Sequence, residues 1–173
     1  MKMVNVIIIG PSTSGKSSFI GSLTESVFTT PEEISAGGSG KSCLVEFGRI
    51  QMNDDLFLYL VGIPGDEEFQ FIWERMAQDL LGFVVMNNTK NIAQAAQVKA
   101  LIKDLKALTD TPFVVAFNGL DGGKAKAAEL KKEFKIPREE QVICCDVTDK
   151  ESAKKVLLCL FGVAVKQIKK ATA

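Results

Sequence analysis

The chain has 173 residues, 46% of them apolar and 24% charged, which fits one domain with a single core over residues 1–173. Its 21 basic side chains balance its 21 acidic ones, so nothing supports a nucleic-acid binder that grips phosphates through a basic excess. There is no histidine, and Cys43, Cys144, Cys145 and Cys159 form no C-x-x-C pair; this disfavours zinc and histidine proton transfer, and free thiols suit a reducing cytoplasm.

The first apolar run, 3–9 (MVNVIII), is rich in β-branched residues and reads as a strand covered on both faces. It is too short for the apolar region of a signal peptide, no run reaches membrane-spanning length, and no lipidation motif is present, so no membrane anchor is expected. A helix is predicted from Lys16 to Glu25. Residues 26–42 lack periodicity and are rich in Ser, Gly and Thr, which predicts a long loop. The runs 43–52 and 56–62 flank Asn53-Asp54-Asp55 and predict a hairpin. Three more apolar runs follow at 82–88, 112–118 and 141–146.

Helical patterns separate these runs. In 93–109, Val98, Leu101, Ile102, Leu105 and Leu108 share one face; in 150–170, Val156, Leu157, Leu160, Phe161, Ala164 and Ile168 do the same. The Lys-rich stretch Lys124 to Arg138 reads as a solvated helix face. Alternating strands and helices with one early hairpin predict an α/β fold: a mostly parallel sheet with helices on both faces.

Two motifs carry chemistry. Gly10-Pro11-Ser12-Thr13-Ser14-Gly15-Lys16-Ser17 fits G-x-x-x-x-G-K-[ST] between a strand and a helix. There, backbone N–H groups turn onto phosphate oxygens, the helix N-terminus adds its positive end, Lys16 neutralises charge and Ser17 binds Mg²⁺. Ser12, Thr13, Ser14 and Ser18 belong to the same cradle. The stretch 36–42 (AGGSGKS) imitates the end of this motif but has Ser35 where its first glycine belongs and no strand before it. The second motif, Asn118-Gly119-Leu120-Asp121, ends a strand. An Asp so placed accepts two hydrogen bonds from the N1–H and N2–H₂ of guanine, a pair adenine does not offer.

With GPSTSGKSS, SCLVEFGRI, DDLFLYLVGIPGDEEFQFIWE, PFVVAFNGLD and CCDVTD in this order, the chain resembles a Ras-like small GTPase from about Val4 to Ile168. It is most similar to a prokaryotic branch that includes the gliding-polarity GTPases and Ras-like proteins encoded beside roadblock proteins. The resemblance implies a three-layer P-loop NTPase with a six-stranded, mostly parallel sheet and 43–52 as its antiparallel edge strand. It implies GTP or GDP with Mg²⁺ as ligands. It assigns Gly10, Gly15, Lys16 and Ser17 to phosphate and metal, and Ser42 to the metal-sensing hydroxyl of the loop. Gly65 takes the place of the glycine whose N–H reaches the γ-phosphate. Asn118 and Asp121 hold guanine, with Asp146 and Val147 of the Asp146-Val147-Thr148 turn behind the base.

Three positions depart from the family pattern. Gly119 replaces a Lys or Gln whose stem lies on the purine. Gly62 replaces the Asp of the metal's water shell; Glu46 on the neighbouring strand is a candidate substitute, and an edge-strand charge that deters aggregation is the alternative. Asp66 stands where relatives place the glutamine that orients the attacking water. Lys16, Gly65 and Asp66 are therefore the candidate catalytic residues, and slow, partner-assisted hydrolysis is expected. A non-hydrolysing scaffold is the alternative. A small-molecule kinase is disfavoured by the N-x-x-D element and by having only Arg49, Arg75 and Arg138 for a lid. Phe69, Ile72 and Trp73 have core spacing, whereas Phe71 falls off that face and suggests a partner patch, for a roadblock-type protein or a second copy.

Overall fold

A computed structural model describes residues 2–34, 41–65, 79–120 and 124–172. In chain order it contains β1 (Lys2–Gly10), α1 (Lys16–Leu23), β2 (Val27–Ile34), β3 (Lys41–Gln51), β4 (Leu56–Pro64) and β5 (Leu80–Asn88). Then come α2 (Ala95–Leu108), β6 (Phe113–Asn118), α3 (Lys124–Glu133), β7 (Val142–Cys145) and α4 (Lys150–Ala171).

The strands form one sheet in the order β2-β3-β4-β1-β5-β6-β7. β1 pairs in parallel with β4 and β5, and β6 pairs in parallel with β5 and β7. Only β3 runs against its neighbours, pairing antiparallel with both β2 and β4. The expected α/β architecture is present, with two differences. The predicted loop 26–42 contains a strand, so the sheet has seven strands and not six. β2 also covers β3, which makes the antiparallel strand internal rather than an edge. The pairing from Val27 opposite Gly48 to Ile34 opposite Lys41 explains both: β3 offers backbone partners along the whole of β2. Pro31 is tolerated because β2 is itself an edge.

Strand β1 explains why its sequence is continuously apolar. Val6, Ile7, Ile8 and Ile9 are all fully buried because both faces of the sheet are covered. On one face, Val6, Ile8, Leu60 and Val84 pack with Phe19 and Ile20 of α1 and Val156 and Leu160 of α4. On the other, Ile7, Ile63 and Val85 pack with Leu101 and Leu105 of α2, and Phe117 meets Phe134 just beyond α3 edge-to-face. Burying one such side chain contributes about 1.5–3 kcal/mol. The predicted helix faces are largely the buried ones, except that Leu108 and Ile168 near the helix ends are exposed. Among the described residues no helix is long and apolar enough to cross a membrane.

This topology positions the site. β1 lies at the point where the chain turns from building the β4 side of the sheet to building the β5 side. The crevice outside the carboxyl ends of β1 and β5 is where open α/β sheets take their ligands.

Candidate functional site

The loop from Gly10 to Gly15 connects the carboxyl end of β1 to α1. Gly10 has to be glycine: a Cβ there would stand 2.6 Å from the Met86 carbonyl oxygen of β5. Gly15 caps α1 with φ +107°, and neither a side-chain cap nor an acid in the first turn engages the helix's leading N–H groups. These donors and the positive end of the helix suit an anion. The Lys16 ammonium folds back over the loop and donates to the carbonyls of Gly10 and Pro11, both at 2.8 Å. Ser14 is fully buried, its N–H donating to Pro11 at 3.2 Å, while Ser12, Thr13, Ser17 and Ser18 are exposed.

Two residues that sequence reasoning passed over brace this loop, one from the end of β5 and one from the segment between β5 and α2. Gln94, buried just before α2, donates through Nε2 to the Ser12 carbonyl and, at 3.0 Å, to Thr13 Oγ1. Asn88 Nδ2 donates to the Thr13 carbonyl at 3.2 Å. Thr13 needs the support, because its φ of 62° is left-handed, a strained region for a β-branched residue that costs about 1–3 kcal/mol. The visible signal was Asn87-Asn88, a polar pair ending an otherwise apolar strand.

On the other flank, β3 and β4 reach the same corner. The Ser17 hydroxyl donates to Glu46 Oε1 at 2.6 Å. Glu46 pairs across β3 and β4 with Gly62. Gly65 follows β4, and its N–H donates to the Gly10 carbonyl at 3.0 Å. A Cβ on Gly65 would stand 3.0–3.2 Å from the backbone of Gly10, so any side chain there would push the two segments apart by a few tenths of an ångström. Ser42 is not in a loop: it opens β3 opposite Glu33, and its side chain lies outside what is described. Asp66 and the aromatic run Phe69 to Trp73 also lie outside the described residues, as do Asp121 and most of the 36–42 imitation.

The third wall is built at the ends of β6 and β7. Asn118 Oδ1 accepts from the Val147 N–H at 3.3 Å, tying the two strand ends together. The side chains of Asn118 and Val147 also press on Gly15, where a Cβ would stand 2.8 Å from Asn118 Nδ2 and 3.1 Å from Val147 Cγ2. Asp146 is exposed and accepts from the Thr148 hydroxyl at 2.6 Å and the Thr148 N–H at 2.9 Å. Those two bonds hold its carboxyl below the usual carboxylate range. Burial, with Cys144 and Asp146 nearby, pushes the Cys145 thiol up to about 12, which makes it inert packing rather than a nucleophile. Asn118, Gly119 and Asp146 line a cleft of about 440 Å³ with Asn88, Lys90 and Thr148. Lys90 was not anticipated; its Cε lies 3.5 Å from where a Gly119 Cβ would be, so its stem borders the space left by the missing side chain.

The described parts of the predicted site therefore converge on one end of the sheet. The phosphate loop lies at the centre, Ser17, Glu46 and Gly65 on one flank, and the Asn118–Asp146 cleft on the other. This arrangement can hold an anion on backbone donors and place a planar ring beside it. The donor set also fits a hard cation, since Ser17 and Glu46 present oxygen and negative charge together. No curated protein matches the chain. The model of the Ras family matches residues 5–170, nearly the whole chain and all of the elements just described. Members of that family generally bind GTP or GDP with Mg²⁺. The chain belongs to the Ras family of GTP-binding switches.

Proposed function

We propose that the chain, acting as one small-GTPase-like domain over residues 1–173, is a cytoplasmic switch that hydrolyses GTP slowly and depends on a partner to accelerate the step. Gly10, Ser12, Thr13, Ser14, Gly15, Lys16, Ser17 and Ser18 would hold the phosphates. Asn118, Asp121, Asp146 and Val147 would hold the guanine, and Ser17 and Ser42 would face Mg²⁺. Bound Mg²⁺ would neutralise the charge on the phosphates. The stretch DDLFLYLVGIPG, with Gly62 in place of the usual metal-shell Asp, favours the prokaryotic branch that includes gliding-polarity GTPases. A roadblock-type protein or a second copy is the corresponding partner.

The observation that carries the switch reading is the double occupancy of one carbonyl. The Gly10 oxygen accepts from the Lys16 ammonium at 2.8 Å and from the Gly65 N–H at 3.0 Å. Both donors are the ones a terminal phosphate would recruit. Recruitment opens the Gly65–Gly10 bond, and loss of the phosphate lets the bond re-form. A carboxylate at Asp66 accepts a proton from water but brings negative charge toward a negative phosphate, which slows the unaided reaction. Partner assistance in such reactions is worth about 10⁵ in rate, so slow turnover is compatible with a working switch.

A non-hydrolysing scaffold is the second reading, favoured by the departures at Asp66, Gly62 and Gly119. Single-turnover hydrolysis separates the two: the protein is loaded with GTP and Mg²⁺, and GDP is followed over hours. Slow appearance of GDP, changed in rate by Asp66→Gln, supports the switch. GTP that stays intact supports the scaffold, and a rate indifferent to Asp66→Gln removes that residue from the account.

A further inference from the structure

Glu46 is not the solvated edge charge that its sequence position allows. β2 covers β3, so the strand that carries Glu46 is not an edge. The side chain is half-buried, and its carboxylate accepts the Ser17 hydroxyl at 2.6 Å. It reaches Ser17 by crossing the face of β4 at Gly62, its register partner. A Cβ on Gly62 would stand 3.1 Å from Glu46 Oε2 and 3.3 Å from Glu46 Cβ. Glu46 thus fills the space that a side chain on residue 62 would need. The missing side chain on β4 and the carboxylate beside Ser17 are one arrangement.

We propose that Glu46 is the protein carboxylate of the divalent-cation site, serving from β3 because residue 62 on β4 has no side chain to serve. The inference deepens the GTP-binding reading and rests on it. Mg²⁺ binds hard oxygens, commonly one or two protein carboxylates together with phosphate oxygens and waters. Among the described residues no group of three or more acids, cysteines or histidines could hold a metal ion alone. Ser17 and Glu46 form a half-site of that kind, completed by a nucleotide's phosphates. Glu46 places its negative charge beside the Ser17 oxygen and orients that hydroxyl, so its lone pairs face the cation. It acts on how tightly the cation is held, and through the cation on how long the nucleotide stays.

The test is the release rate of a fluorescent GDP analogue from the full chain, in EDTA and across a series of free Mg²⁺ concentrations. Wild type is expected to release the analogue much faster in EDTA than in Mg²⁺. In Glu46→Gln the ratio of the two rates falls toward one, and the Mg²⁺ needed for half-maximal slowing rises by about 10–100-fold, as when a group supporting a metal site is lost. In Glu46→Ala/Gly62→Asp the carboxylate moves to β4 and the Mg²⁺ dependence returns. Once the Glu46 carboxylate is gone, the new Cβ meets the flexible end of Ile20 at 2.9 Å and the Cβ that Glu46→Ala keeps at 3.3 Å. A Glu46→Gln ratio equal to wild type overturns the proposal and leaves GTP binding standing. So does faster release in EDTA and Mg²⁺ alike with the ratio unchanged, which marks Glu46 as structural. If wild type holds no guanine nucleotide in either condition, the functional reading falls and this inference falls with it.

Discussion

Gly15 shows how much one residue can join. It ends the phosphate loop, caps α1 in a left-handed conformation and lies under Asn118 and Val147 of the opposite wall. Gly15→Ala is expected to destabilise the protein by about 1–3 kcal/mol, through the positive φ and the 2.8 Å approach to Asn118, read as a lower urea midpoint. An unchanged midpoint would mean that the two walls do not meet there. Asp146 makes a pH prediction. Its folded-state pKa is lowered by Thr148, so its contribution is present above the ordinary carboxylate value and is lost as the pH falls through the folded value. Asp146→Asn should therefore melt below wild type at neutral pH, with the gap closing in acid; a gap constant with pH would remove Thr148 as its cause. At this scale the sequence was legible where chemistry follows a fixed spacing, as from Gly10 to Ser17. It was silent on Gln94, because a brace formed across more than eighty residues has no local signature, and on Lys90, whose stem meets Gly119 only once β5 and β6 are paired.

At the scale of elements, α1 lies close on the sheet because β3 and β4 present glycines to it. A Cβ on Gly48 would stand 2.6 Å from Ile20 Cγ2 and 2.7 Å from Thr24 Cγ2, and one on Gly62 would stand 2.9 Å from Ile20 Cδ1. That closeness puts Ser17 within reach of Glu46. Gly48→Ala should lift α1 and cost about 1–3 kcal/mol in urea denaturation. It should also weaken the slowing of nucleotide release by Mg²⁺, and normal stability would contradict the close packing. The apolar strands and the two long amphipathic helices were readable because their burial sets their periodicity. β2 was not, because Thr29, Thr30, Pro31, Glu32 and Glu33 have no alternating apolar face; the strand exists through its pairing with β3. Its absence from the sequence reading is also why Glu46 could be taken for an edge charge.

At the scale of the molecule, three walls from distant parts of the chain meet at the carboxyl end of one sheet, and the family match spans all of them. The central claim is that this end selects guanine nucleotides. Equilibrium displacement of a bound fluorescent GDP analogue tests it most directly, with GDP, GTP and ATP as competitors in Mg²⁺. The account predicts that GDP and GTP displace the analogue while ATP fails at about a thousandfold excess, because a site built to hydrogen-bond its ligand rejects one lacking those partners by about 10⁴. Displacement by ATP as effective as by GTP, or no binding of the analogue at all, would contradict it.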